Sequence, residues 1–132
     1  MSNKIVFTNG CFDILHVGHV ELLKYSKSIG STLIVGLNSD ESVSQLKGSD
    51  RPINNEIDRK KMLESIKYVD KVIIFNQLTP FDLIKKIRPD IIVKGGDYSK
   101  EEVVGNSLAE VRIFNYVSGY STTKAIQDII NR

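Results

Sequence analysis

The sequence predicts an open, doubly wound α/β fold around a five-stranded parallel sheet. Three observations carry that prediction. A strand, a helix and a second strand follow one another within about 35 residues at the N-terminus, the pattern of a parallel βαβ unit. The alternation then repeats to the C-terminus. No linker or low-complexity segment interrupts it, so residues 1–132 read as one domain.

Residues 4–8 (KIVFT) form the first strand, which ends at Asn9-Gly10. Residues 19–29 (HVELLKYSKSI) show helical spacing through Val20, Leu23, Tyr25 and Ile29, and Gly30 stands where a C-cap belongs. Residues 32–37 (TLIVGL) make a second buried strand, and Asn38-Ser39-Asp40 supplies an N-cap cluster for a helix over 40–46. Residues 56–67 (EIDRKKMLESIK) read as helix and 71–75 (KVIIF) as strand. Thr79 is the expected N-cap of a helix over 80–87, with Pro80 in its first turn. Arg88-Pro89-Asp90 turns the chain into the strand 91–94 (IIVK). A glycine-rich loop and a surface segment, 98–109, lead to the last strand, 110–114 (EVRIF), and a closing helix over 121–131. Ligands of such sheets bind beyond the carboxyl ends of the strands, which directs attention to the segments after Thr8, Leu37, Lys94 and Phe114.

Composition narrows the function classes. With 41% hydrophobic and 26% charged residues the chain has the make-up of a soluble globular protein. Eighteen Lys and Arg against sixteen Asp and Glu leave a net charge of +2, too balanced to point to nucleic acid or to a membrane surface. No apolar run approaches the roughly 20 residues that span a bilayer, and the N-terminus lacks the marks of a signal peptide, so the cytoplasm is the expected location. The single cysteine, Cys11, has no partner for an intramolecular disulfide, in keeping with a reducing compartment. Between Gly10 and Phe12 it reads as a small buried residue at a strand end rather than as a catalytic thiol.

Both histidines of the chain lie in His16-Val17-Gly18-His19, directly after the first strand and its turn. Gly18 lets the backbone come close to a ligand, and the N–H groups of the following helix turn favour an anion there. Two imidazoles so placed can flank one phosphorus, with His19 in the first helical turn and His16 just ahead of it. A zinc site does not fit, because helical zinc ligands use His at i and i+4 with a third ligand that this chain lacks. A purely structural pair capping the helix is the plainer alternative, and Gly18 between them argues against it.

With the preceding strand, TNGCFDILHVGH resembles the HxGH signature of the nucleotidyltransferase superfamily, which includes cytidylyltransferases, pantetheine-phosphate adenylyltransferase and class I aminoacyl-tRNA synthetases. LIVGLNSDESVSQLKGSDRPIN, DRKKMLESIKYVD, RPDIIVKGGDY and GYSTT are similar to consecutive blocks of bacterial D-glycero-D-manno-heptose 1-phosphate adenylyltransferases, the nucleotidyltransferase module of ADP-heptose synthases. HxGH alone marks the superfamily; LKG-x-x-RP, VKGGDY and GYSTT together are more specific.

The resemblance implies a Rossmann-like sheet and a direct in-line reaction, in which a sugar phosphate oxygen attacks the α-phosphate of a nucleoside triphosphate as pyrophosphate departs. Mg²⁺ would be carried by the nucleotide phosphates, with no direct protein ligand. Such transfer asks the protein to position reactants and neutralise charge, and a phosphate monoester needs no general base. His16 and His19 would then hold the triphosphate and stabilise the transition state, and Lys47, beside Gly48, would reach over the phosphates, although an exposed lysine is the ordinary reading. Thr8, Asn9, Gly10, Phe12 and Gly18 belong to the same nucleotide-binding block. Arg59 is expected to reach the phosphates, against the usual solvated helix face. Asp13 would face the sugar phosphate, or else orient its loop by capping nearby N–H groups.

Lys94, Gly95 and Gly96 would form a floor against which a base lies, with Asp97 on the sugar side. Glycerol-phosphate cytidylyltransferases tend to have an aspartate where this chain has Gly96, and an arginine where it has Tyr116, so the lean is to adenine. Tyr120, Ser121, Thr122 and Thr123 would cradle the outer phosphates at the last helix, although one of these hydroxyls is explained as a simple cap. Residues 98–109 are shorter than the matching part of the heptose enzymes, which bears on the acceptor, and a stand-alone transferase without a fused kinase is expected. The reading is therefore AMP transfer from ATP to D-glycero-D-manno-heptose 1-phosphate for surface-polysaccharide assembly, by a homodimer. A cytidylyltransferase acting on glycerol 3-phosphate, use of CTP or GTP, and a nucleotide-binding regulatory module without turnover are the alternatives.

Overall fold

The computed structural model describes residues 3–115 and 122–130. Its sheet contains β1 (Ile5–Gly10), β2 (Thr32–Asn38), β3 (Lys71–Phe75), β4 (Ile91–Gly95) and β5 (Glu110–Phe114), all parallel, in the order β3-β2-β1-β4-β5. The connecting helices are α1 (Val17–Ser28), α2 (Asp40–Lys47), α3 (Glu56–Glu64) and α4 (Phe81–Ile87), and α5 (Thr122–Ile130) follows β5. The chain moves outward from β1 to β3 and then returns to the other side of β1. That reversal is the topological switch point at which open α/β sheets bind ligands.

Alternation along the strands builds two cores. Val6, Leu33, Val35, Leu37, Ile91 and Val93 face one way and pack with Leu22 and Leu23 of α1 and Leu63 of α3. Phe7 and Ile92 face the other way, against Ile84 of α4, Val103 and Val111. Period-two side-chain direction thus gives each central strand two buried faces, as a covered parallel sheet requires.

The boundaries differ from expectation where side chains intervene. β1 runs on through Asn9 and Gly10, because these two stay paired with Gly36 and Leu37 of β2. α1 starts at Val17, since His16 takes the N-cap place usually held by Ser, Thr, Asp or Asn. Ser39 and Asn55 cap α2 and α3 through hydrogen bonds from Ser42 N and Asp58 N. α3 stops at Glu64, where the Ser65 N–H turns back to Lys61 and Met62 carbonyls. Pro80, not Thr79, is the N-cap of α4; its carbonyl accepts from Ile84 N at 2.9 Å, and it has no N–H to leave unsatisfied.

The segment 98–109 is more than surface covering. It contains a short 3₁₀ turn, Lys100–Glu102, buries Val103, and brings Gly105 (φ +91°) against the second core. A Cβ at Gly105 would stand 2.8 Å from Ile92 Cδ1, so close packing there demands glycine.

Candidate active site

At the switch point β1 and β4 pair only through Val6–Ile91 and Phe7–Ile92. Beyond those residues Thr8 Oγ1 donates to Val93 O at 2.9 Å and holds the strands together where their ladder ends. A cavity of about 560 Å³ opens above this point, within the size range of small-ligand sites. Asn9, Gly10, Cys11 and Phe12 from the end of β1, Asn38 from β2 and Lys94 from β4 line it. His16 and His19 stand at the start of α1, Leu46, Lys47 and Arg51 come from α2 and the loop after it, and Leu78, Thr79, Pro80, Tyr98 and Val104 complete the wall.

The two histidines cap the helix and each other. His16 Nδ1 accepts from Gly18 N at 3.1 Å, and His19 Nδ1 accepts from His16 N at 3.2 Å. This is a capping box in which imidazoles replace the usual hydroxyl and carboxylate. Because both Nδ1 atoms act as acceptors, each neutral ring carries its proton on Nε2 and is a donor at that edge. The rings stack with centroids 3.9 Å apart, and Phe12 packs against His19 at 5.2 Å. Burial lowers the pKa of His16; burial, and secondarily the neighbouring His16, lowers that of His19 to about 4. Both rings are therefore neutral donors near pH 7.

This geometry changes one expectation about the anion site. The Gly18 N–H is taken by His16 Nδ1, and the His19 N–H by His16 O at 3.0 Å. The Gly18 and His16 N–H groups thus orient the two imidazoles, and the imidazoles, rather than the Gly18 and His19 amides, are what the start of α1 offers to a ligand.

Cations share the cavity with the histidines. Among the described residues, Lys47, Arg51 and Lys94 are the charged residues of the lining, and none of its side chains is a carboxylate. Lys94 lies 5.0 Å from the centre of the Tyr98 ring, and burial lowers its pKa, with Lys47 adding repulsion. A half-dehydrated ammonium of this kind gains more from an arriving phosphate than one already surrounded by water. Cys11 is half-buried in the cavity wall rather than sealed in a core. Burial raises its pKa despite the nearby Lys47, Arg59 and Arg51, so its thiol stays protonated.

Of the residues proposed for the site from the sequence, Asn9, Gly10, Phe12, His16, His19, Lys47 and Lys94 line the cavity. Others are placed elsewhere. Thr8 is buried with its hydroxyl on Val93, and Gly18 is buried in the first turn of α1. Arg59, expected at the phosphates, lies fully buried: Nε donates to Asn54 O, Nη1 to Cys11 O and Asn38 O, and Nη2 to Asp40. Four acceptors at 2.8–2.9 Å make it the tie between the β1 turn, β2 and the starts of α2 and α3. Asp13, expected at the sugar phosphate, instead takes the loop-orienting part, with Oδ1 accepting from Asn54 N and Oδ2 from Ile53 N and Arg51 Nε.

Gly95 ends β4, and Gly96 (φ +117°) makes a turn whose N–H donates to Phe114 O; a Cβ there would approach Tyr98 Cε2 to 3.0 Å. Neither glycine lines the cavity, and Asp97 is exposed outside it. The positive φ of Gly96 favours glycine in the turn that brings Tyr98 over Lys94. Tyr116, Tyr120 and Ser121 lie outside the described residues, and Thr122 and Thr123 are described only as the opening backbone of α5.

Sequence reasoning missed Arg51, Asn38, Thr79 and Tyr98 as lining residues. Asn38 closes the second strand, and its place after Leu37 was the available signal. Arg51 stood inside the LKG-x-x-RP block without a role. The apolar rim, Leu46, Leu78 and Val104, depends on tertiary placement and left no local mark. Among the described residues no group of three or more His, Cys, Asp or Glu is arranged to hold a metal ion, and no helix is long and apolar enough to cross a membrane.

A parallel sheet with a histidine-capped helix at its switch point defines a class, and the chain belongs to the cytidylyltransferase-like family, which it matches over residues 7–128. Among curated relatives it is 57% identical over 125 residues to the bifunctional protein HldE of Nitratiruptor sp., covering 94% of this chain and 27% of that protein. It is 54% identical over 130 residues to the bifunctional protein HldE of Aliarcobacter butzleri, with 98% and 27% covered. The chain thus spans about a quarter of the length of these relatives. A solved structure of a lipopolysaccharide core biosynthesis protein from Thermoplasma volcanium superposes with a TM-score of 0.72 at 30% identity, over 89% of this chain and 98% of that one. Pantoate-beta-alanine ligase from Francisella tularensis shares the fold at a TM-score of 0.59 and 14% identity, over 98% of this chain and 72% of that one.

Proposed function

We propose that this chain is a nucleotidyltransferase that moves AMP from ATP to a sugar 1-phosphate, D-glycero-D-manno-heptose 1-phosphate, and releases pyrophosphate. The observation that carries the proposal is the mutual cap of His16 and His19, which holds two neutral imidazoles as Nε2–H donors in a cavity whose charged lining, among the described residues, is all cationic. Identity of more than half to proteins named HldE, and 30% identity to a lipopolysaccharide core biosynthesis protein, support the sugar branch of the family.

The chemistry follows from the donor set. The triphosphate lies across the cavity with its α-phosphate near the histidines, whose fixed donors strengthen as charge builds on the phosphoryl oxygens. Lys47 and Lys94 draw the outer phosphates toward one end, so that the sugar phosphate attacks in line from the other and pyrophosphate leaves as the bridging P–O bond breaks. No protein nucleophile is needed, and the protonated Cys11 thiol does not provide one. The donor set favours a metal brought by the nucleotide: Mg²⁺ would enter on the phosphates and offset part of their charge. A homodimer that shields the open cavity completes the reading, and sedimentation at micromolar concentration should give twice the monomer mass.

The test is pyrophosphate release with Mg²⁺ across ATP, CTP and GTP, each paired with both anomers of the heptose 1-phosphate and with glycerol 3-phosphate. Release with ATP and one heptose anomer is expected. Release with CTP and glycerol 3-phosphate alone would transfer the protein to the glycerol-phosphate branch, and nucleotide binding without any release would make it a binding module.

A further inference from the structure

We propose that Arg51 is a phosphate-binding residue of this cavity and that Asp13 is the residue that positions it. The inference rests on the nucleotidyltransferase reading and adds to it a donor that lines the same cavity as the histidines. The Arg51 side chain is 11% exposed and lines the cavity together with Lys47 and Lys94. Among the described residues, its one side-chain hydrogen bond runs from Nε to Asp13 Oδ2 at 3.2 Å. A carboxylate that holds a guanidinium through Nε leaves the two Nη groups as a planar pair, the geometry that recognises phosphate oxygens bidentately.

The anchor is built for this task. The Asp13 side chain is completely buried, and its oxygens also accept from Ile53 N at 2.7 Å and Asn54 N at 2.8 Å. Asn54 Nδ2 returns a bond to Asp13 O, and Ser44 Oγ donates to Arg51 O at 2.6 Å. The loop is therefore fastened at four points that do not involve the Arg51 side chain. Asp13 itself follows Phe12, whose φ of +46° is rare for a residue with a Cβ and turns the chain inward after the β1 end. The same short stretch thus lines the cavity through Phe12 and anchors another lining residue, Arg51, through Asp13. Because Asp13 balances the Arg51 charge, the contribution of Arg51 is directional donors more than net charge, and lysine is a poor replacement.

The phosphate arrives either as the triphosphate of the nucleotide or as the monoester of the acceptor, and calorimetry with separate probes distinguishes them. Wild type, Arg51→Gln and Arg51→Lys are titrated with ATP, with inorganic pyrophosphate and with heptose 1-phosphate, each with Mg²⁺. Both variants should bind at least one probe about tenfold or more weakly while remaining folded at the titration temperature, because the backbone anchors of the loop hold Asp13 after its guanidinium partner is lost. Weaker ATP and pyrophosphate binding assigns Arg51 to the triphosphate, and weaker sugar phosphate binding alone assigns it to the acceptor. Asp13→Asn should weaken the same probe, and adding it to Arg51→Gln should change that affinity little further. Variants that bind all three probes as wild type does, or lose binding only in proportion to unfolding, would overturn the inference. Failure of wild type to bind either ATP or pyrophosphate would instead remove the reading beneath it.

Discussion

In the histidine lip of the cavity His16 and His19 hold each other through bonds that reach across two and three residues; in the cationic lip Arg51 is held by Asp13 across 38. The first lip presents neutral donors aimed by the first turn of a helix. The second presents Arg51, whose position depends on a loop fastened to a distant strand end. Local capping sets the geometry of the histidine lip within one helical turn, so truncations there should act mainly on rate. Long-range fastening makes the cationic lip part of the fold, so its deeper supports should act on stability and its surface groups on binding.

The sharpest break of this contrast is Arg59→Met. Removing a buried guanidinium leaves Asn54 O, Cys11 O and Asn38 O without their donor and should destabilise the protein by about 3–5 kcal/mol, read by urea unfolding. An unchanged unfolding midpoint with a raised KM for ATP would return Arg59 to the phosphate site. Next come His16→Ala and His19→Ala, each expected to lower kcat by about 10²–10³ while circular dichroism keeps its wild-type form.

Acid provides a third comparison, confined to the histidine lip. Both histidines titrate lower in the folded chain than the ordinary 6.5, His19 at about 4. Between those values the unfolded chain binds more protons than the folded one, so stability rises with pH through the window. The stability is complete above pH 6.5 and declines as pH falls toward 4, by up to about 3 kcal/mol from His19. Urea unfolding at pH 7 and pH 4.5 should show that decline in wild type and a smaller one in His19→Ala. The smallest effect is expected at Thr8→Val, about 1 kcal/mol for the bond to Val93 O, with little change in KM.

The same contrast explains what was legible in the sequence. The five strands, their parallel sense and the histidine motif are written in runs of neighbouring residues, and each stands within two residues of its expected bounds. The parts of Asp13 and Arg59 are not written locally. A carboxylate after a turn and an arginine on a charged helix look like ligand groups or solvated surface until the fold brings residues 51–54 to one and the Cys11, Asn38 and Asn54 carbonyls to the other. Thr8 illustrates the same limit on a smaller scale, since its partner strand comes 85 residues later. Residues 98–109 were legible as a connection, but Gly105 shows its packing role only once Ile92 and Ile84 are beside it.

The most direct test of the central claim is a coupled product assay on wild type beside His19→Ala, in which pyrophosphate and nucleoside-diphosphate heptose are quantified together from ATP and heptose 1-phosphate. One pyrophosphate per ADP-heptose in wild type, with both products reduced about 10²–10³-fold in the folded variant, is the predicted result. Equal rates in the two proteins, or pyrophosphate release that does not depend on the sugar phosphate, would contradict it.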